Sequence, residues 1–211
     1  MKRLILFLLV LGMGVSLFAQ VQLPEHYFAS GNWSMSNRLF QNDVNARLAK
    51  VNIYAPQSGP MIYEFDMRYE RGIEDGHGGF GLHIFANDVY NGASWGSGTS
   101  YLLWLNYDDN PITPGIPRGF SAQVYRSTSN STMDLVQSFS MSEYEYFLTE
   151  ENFRDPLPIK IWVDGNSGEV RVYDPTDDNY YWYFYLDSKD LPLRGNWVSL
   201  RTNGISLSFG M

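Results

Sequence analysis

Glu64 and Asp66 stand two residues apart in the run Tyr63-Glu64-Phe65-Asp66, so an extended backbone sends both carboxylates to the same side. Glycoside hydrolysis runs on two such groups, one acting as acid and the other as base or nucleophile. Two residues of strand put their Cα atoms about 7 Å apart, so they act as a pair only with help from neighbours. Glu70 continues the same side but lies about 20 Å from Glu64, against the ~5.5 Å separation of a retaining pair. Arg68 stands between them and is placed to neutralise Asp66 or Glu64. The competing reading of this run is the polar face of a half-exposed sheet.

Little else in the chain is built for catalysis. The three histidines are scattered: His26 near the start of the mature chain, His77 among glycines, and His83 inside an apolar run. No H-E-x-x-H or P-loop occurs, and no nucleophile elbow of the G-x-S-x-G type joins a strand to a helix. The absence of cysteine removes thiolate nucleophiles, disulfides and thiolate-zinc sites together. Oxygen-rich clusters of the kind Ca2+ takes stand at Asp88 and at Asp108-Asp109-Asn110. Neither follows EF-hand spacing, and Asp and Asn serve turns equally well.

Binding chemistry is better represented. Phe80, Leu82 and Ile84 alternate with Gly79, Gly81 and His83, which leaves a shallow floor beside the imidazole on the second face. Trp104 and Asn106, then Ser121, Gln123 and Tyr125, fall on the outward side of the next two segments. If these strands share a sheet with the carboxylate run, then Glu64, Arg68, His83, Trp104, Asn106, Gln123 and Tyr125 form one patch. An indole, a phenol and paired donors and acceptors suit a sugar, whose C–H faces stack on rings while its hydroxyls take hydrogen bonds. A core position for Trp104 is the competing reading. The segment from Asn87 to Gly98 adds Tyr90 and Trp95 among Gly, Ser and Asn, the composition of adaptable recognition loops. It caps one end of the patch, or else Trp95 anchors the loop at the sandwich edge.

The elements that must position these residues are strands. Apolar and polar residues alternate with a period of two, and turn residues interrupt the pattern every eight to twelve positions. Met61, Tyr63, Phe65, Met67 and Tyr69 take one face and Ile62, Glu64, Asp66, Arg68 and Glu70 the other, so a one-residue slip would bury three acids. Gly165-Asn166-Ser167-Gly168 joins two strands of a hairpin, and Asn203-Gly204 turns the chain before its last strand. The capping box Ser142-x-x-Glu145, ahead of Tyr146-Phe147-Leu148, predicts one short connecting helix. The expectation is an all-β, two-sheet antiparallel jelly-roll sandwich of about 11–12 strands. The strand Tyr180–Tyr185 is aromatic on both faces, so a loop, a ligand, an envelope protein or a second copy must cover one of them, with Tyr181, Tyr183 and Tyr185 the expected covered set.

Residues 1–19 read as a secretory signal: Lys2 and Arg3, then an apolar run from Leu4 to Val15, then small residues before a cut after Ala19. Cleavage would leave residues 20–211 as a single domain with 13 basic and 23 acidic residues, a net charge of −10. Export to a periplasmic or extracellular location is expected. The acidic balance argues against a nucleic-acid partner, which calls for a basic surface.

Several segments together resemble the concanavalin A-like lectin/glucanase superfamily, which includes laminin-G modules. They are Asn32-Trp33-Ser34 with Arg38-Leu39-Phe40, Tyr63-Glu64-Phe65-Asp66, Gly78-Gly79-Phe80-Gly81-Leu82, Val163-Asp164-Gly165 with Glu169-Val170-Arg171-Val172-Tyr173, and Val198 to Gly204 with Leu207-Ser208-Phe209. The nearest likeness is to bacterial 3-keto-disaccharide hydrolase-like domains. The resemblance implies the jelly roll, and it implies lectins, hydrolases and inert modules alike. Glucanases of this superfamily carry Glu-x-Asp-x-Glu or Glu-x-Asp-x-x-Glu on one strand; here Arg68 and Tyr69 stand where the last Glu should be. The combined reading is an exported, non-catalytic module binding carbohydrate or a glycan-bearing surface. Its rivals are a structural component of the envelope or cell surface and a sugar-cleaving enzyme using Glu64 and Asp66.

Overall fold

A computed structural model describes residues 25–72, 77–142 and 155–210. The signal segment and the helix expected after Ser142 fall on residues outside these ranges. Among the described residues there are fourteen strands: β1 His26–Ser30, β2 Trp33–Met35, β3 Leu39–Gln41, β4 Ala49–Ser58, β5 Pro60–Gly72, β6 His77–Ala86, β7 Ser100–Asp108, β8 Gly119–Ser127, β9 Met133–Ser140, β10 Leu157–Asp164, β11 Glu169–Asp174, β12 Asp177–Tyr185, β13 Arg194–Asn203 and β14 Ile205–Gly210. The count exceeds the expected 11–12. Part of the excess is β1, whose His-Tyr-Phe-Ala-Ser shows no alternation and which is placed by pairing with β4 and by the Tyr27 ring against Trp197.

The strands form two antiparallel seven-stranded sheets. Sheet A has the order β1-β4-β13-β6-β7-β8-β9 and sheet B the order β12-β11-β10-β5-β14-β3-β2. Two glycine corners carry the chain from A to B. Gly59, at φ +62°, separates β4 from β5, and Gly204, at φ +66°, separates β13 from β14. A β-branched residue would be strained at either φ. The Asn203-Gly204 turn is therefore a crossing between layers, and β13 and β14 do not form a hairpin.

The core lies between the sheets. Sheet A contributes Val51, Phe80, Leu82, Leu103, Val124 and Leu200, and sheet B contributes Met67, Ile161, Val163, Val170, Leu207 and Phe209. Phe209 stacks near Trp33, Phe65 and Phe80, with centroids 6.1–6.4 Å away. The register read for β5 holds: Met67 is buried, while Ile62 and Glu64 face outward. A cavity of about 110 Å³ between the layers is lined almost wholly by apolar side chains such as Phe65, Leu103, Phe139 and Phe184, and it belongs to core packing.

Candidate functional site

Strand pairing sets the outward residues of sheet A in rows. One row runs Asn52, Ser199, His83, Leu102 and Tyr125 across β4, β13, β6, β7 and β8; the next runs Lys50, Arg201, Gly81, Trp104 and Gln123. Such a face would ordinarily be wet. Here Lys50, Asn52, His83, Ser199, Arg201 and Gln123 are all buried. The β6–β7 loop, residues 87–99, lies back over the sheet and touches Lys50, Asn52, Ser199 and Arg201.

Basic side chains hold that loop down. Lys50 Nζ donates to Ser94 O at 3.2 Å, Ser94 Oγ at 2.7 Å and Gly96 O at 2.7 Å. Arg201 donates to Trp95 O at 2.7 Å, and its guanidinium lies 4.7 Å from the Trp95 ring and 5.1 Å from the Trp104 ring. Backbone carbonyls and ring faces are the natural partners of a cation where no carboxylate is at hand. Asn52 Nδ2 donates to Tyr90 O, Ser97 and Ser199 share a hydroxyl contact, and Asn130 accepts from Gly96 N and Gly98 N.

The electrostatics follow from burial. Among the described residues no carboxylate pairs with Lys50 or Arg201. Loss of water, then repulsion from Arg201, brings Lys50 down to about 7, and loss of water brings Arg201 down to about 10. His83 is held well below its usual range by burial and by both cations; its Nδ1 meets Ser100 Oγ at 3.0 Å, and its Nε2 has no hydrogen-bond partner among the described residues.

Over this base the loop shapes a depression of about 360 Å³ lined by Leu48, Tyr90, Ala93, Ser94, Trp95, Asn130 and Ser131. Tyr90 and Trp95 are half exposed. Two rings, the Asn130 amide and the Ser131 hydroxyl thus meet at one open hollow, with the buried Ser94 in its lining, and among the described residues no carboxylate lines it.

The structure divides the residues expected to form one patch. His83, Trp104, Asn106, Gln123 and Tyr125 do share the outer face of sheet A, with Tyr90 and Trp95 on the loop above them. Glu64, Asp66 and Arg68 lie on the outer face of sheet B, because β5 pairs with β10 and β14 and never with β6. The whole core separates the two groups, so the single-patch expectation is corrected. Glu64 lies 3.7 Å from Lys160, Asp66 2.5 Å from Arg38, and Arg68 pairs with Glu70 at 2.8 Å rather than with Glu64 or Asp66. The expected glycine floor is also filled: a Cβ on Gly79 would come within 2.6 Å of the Trp104 indole, which lies over it and donates to Asn106 Oδ1. Gln123 and Tyr125 are linked to each other and to Ser121.

The acidic candidates are spent on local structure. Asp88 accepts from Val89 N, Asp108 from Asn110 N and lies 2.9 Å from His77, and Asp109 accepts from Tyr107. Among the described residues no three His, Asp or Glu side chains gather as metal ligands. Lys50, Ser94, Asn130, Ser131 and Arg201 escaped sequence reasoning. A signal existed for two of them, since Lys50 and Arg201 interrupt apolar strands on the non-core parity beside Val51 and Leu200.

Two antiparallel seven-stranded layers make an all-β sandwich of the kind seen in lectin-like and galectin-like domains. Among solved structures, the chain is similar to a legume lectin-like domain from Entamoeba histolytica, at 11% identity and TM-score 0.55, covering 87% of this chain and 85% of that one. It is similar as well to a protein of unknown function with a galectin-like fold from Bacillus subtilis, at 12% identity and TM-score 0.54, covering 88% and 86%. The CBM2 module of the evolved Dit of Lactobacillus casei BL23 phage J-1 matches at 9% identity and TM-score 0.50, covering 86% and 77%. No family model and no curated protein matches the chain.

Proposed function

We propose that the protein is an exported carbohydrate-binding module that takes a saccharide in the hollow beside Trp95. One observation carries this reading: Trp95 is 47% exposed at an open depression, although its loop is pinned from beneath by Lys50, Arg201 and Asn52. A ring held rigid before the ligand arrives loses little freedom on binding, and Tyr90, Asn130 and Ser131 supply partners for sugar hydroxyls. The sandwich shared with lectin-like domains supports the reading, as does the Lys2-Arg3 and apolar leader for export. Glycoside cleavage by the nearer hydrolase-like resemblance has no such support, because Glu64 and Asp66 each face a cation on an open sheet. Glycan-array screening followed by calorimetry tests the proposal. Trp95→Ala should weaken binding at least 10-fold with no loss of fold, whereas Glu64→Gln should leave it unchanged. No binding to any glycan overturns the reading.

A second reading has its own observation. On the outer face of sheet B, Tyr181, Tyr183 and Tyr185 are exposed at the edge strand β12, beside Arg171 stacked on Trp162 and Tyr181 at 4.5 and 5.2 Å. The strand's inward side is covered by the core through Phe184 and Leu186, so among the described residues the set expected to be covered stands open. Assembly with a second copy or an envelope protein through this strand is the proposal it supports.

A further inference from the structure

We propose that Ser94 and Lys50 form a nucleophile–base pair that cleaves esters, its natural substrate an acyl group ester-linked to the saccharide held at Trp95. The choice of saccharide rests on the reading above; the nucleophile does not.

The geometry comes first. Ser94 Oγ and Lys50 Nζ are 2.7 Å apart, within reach for direct proton transfer, and Ser94, 7% exposed, belongs to the lining of the depression. Lys50 is fully buried and cannot swing away, because Ser94 O and Gly96 O hold its head group. Both protonation states of this lysine are satisfied by the same atoms. As an ammonium it donates to the two carbonyls and to Ser94 Oγ, while the serine hydroxyl donates to Gly96 O at 2.9 Å. As a neutral amine it keeps its two N–H groups on the carbonyls and turns its lone pair to the serine hydroxyl. A pair with two complete hydrogen-bond arrangements is poised to pass a proton between them. Burial and Arg201 bring the lysine to about 7, so the neutral form is populated near neutrality. The charged and titratable groups that act on it are Arg201 on β13 and His83 on β6; Tyr125 on β8 lies against Arg201, and Asp88 of the covering loop acts on Tyr27 of β1 and accepts from Val89 N, so among the described residues no carboxylate pairs with Lys50 to hold the charge in place.

Gly92-Ala93-Ser94-Trp95-Gly96 has G-x-S-x-G spacing, but it lies in the loop between β6 and β7 and not on a strand-to-helix elbow. What matters is therefore the lysine beneath it. Asn130 lines the same hollow; its Oδ1 is engaged by Gly98 N, which leaves the amide NH2 as a donor for the oxygen that becomes negative.

The reaction balances with water alone. Ser94 Oγ bonds to the ester carbonyl carbon as its proton passes to Lys50. The carbon–oxygen bond to the sugar breaks, and Lys50 returns the proton to the leaving hydroxyl. Water then attacks the acyl-serine, Lys50 takes its proton, and Ser94 recovers it as the carboxylic acid departs.

The test uses the intact chain with a fluorophosphonate probe read by peptide mass spectrometry, and p-nitrophenyl acetate turnover. The expected result is one adduct, on Ser94, absent in Ser94→Ala, with labelling that rises as pH passes upward through about 7. Lys50→Arg keeps a cation on the loop carbonyls but cannot act as base at neutral pH, so it should stay folded and react about 100-fold slower. A purely structural Lys50 would leave the labelling rate and its pH profile unchanged. No adduct on Ser94 in the folded wild type overturns the proposal whether or not Lys50→Arg folds. Glycan binding without labelling removes this inference alone; labelling and turnover without glycan binding remove the saccharide reading and leave the nucleophile.

Discussion

Lys50 shows how far one side chain's environment departs from what its type suggests. Its ordinary value is 10.5, and burial lowers it to about 7 in the folded chain. Between those values the unfolded chain binds a proton that the folded chain does not, so unfolding takes one up and stability rises with pH across the window. Below about pH 7 both states are protonated and the cost of burying the charge is fully present. Chemical denaturation of wild type and Lys50→Met from pH 7 to 10 should therefore show the difference moving in favour of wild type, by up to about 1.4 kcal/mol per pH unit. A flat difference would mean that Lys50 stays charged under the loop. Arg201 does not titrate in that range so simply, but its place between Trp95 and Trp104 makes it the second anchor. These two residues were readable in the sequence as cations on strands. That their heads meet loop carbonyls was not, since the carbonyls lie more than forty residues from Lys50 along the chain and more than a hundred from Arg201.

At the scale of elements, the alternation of β5, β6, β7 and β8 was legible and correct in face, because a period of two with one apolar side admits only one way to bury it. Which strands lie beside one another was not legible, and the candidate site depended on that. The short 3-10 helix Ser188–Asp190 illustrates the same point. It is fastened to sheet A by Asp190, which accepts from Arg126 Nε and from Tyr101 at 2.5 Å, and from Arg126 Nη2 at 2.8 Å. The arginine hydrogen bonds hold the Asp190 carboxyl below its usual value, so the stability it contributes is present above pH 3.8 and is lost as pH falls through its folded value. Asp190→Asn should lower Tm by several degrees at neutral pH, with the difference from wild type shrinking in acid; a constant difference would show that the carboxylate charge is idle. In β6, Gly79→Val should displace the Trp104 indole and disturb the loop above it, visible as a red shift in tryptophan emission; an unchanged spectrum would count against the packing of Trp104 over Gly79.

The whole molecule presents two unlike outer faces. Among the described residues, sheet A is roofed by its loop, which shapes the hollow at Trp95, whereas sheet B carries the exposed tyrosines of β12 at its edge. An edge strand with exposed rings invites pairing, and neighbouring charge is the usual protection against it. Arg171 and Glu169 pair with each other at 2.7 Å on the adjacent strand, so they protect the edge little. If β12 is an assembly surface, light scattering at high concentration should show a dimer or larger species that Tyr183→Lys returns to monomer. A strict monomer for the wild type would remove that reading and leave the saccharide proposal as it stands.

The sequence by itself determined the all-β character, the inward and outward faces of the alternating strands, and the collection of rings and amides that no catalytic signature organises. These follow from local periodicity and side-chain chemistry, which act over a few residues. Only the tertiary structure decided that β5 turns its carboxylates away from His83 and Trp104, and that the β6–β7 loop closes over Lys50 and Arg201 to bring Ser94 within 2.7 Å of a buried amine. Those outcomes depend on two glycine corners and on pairings between strands far apart in the chain, where the burial of the whole core, and not any local preference, selects the partner.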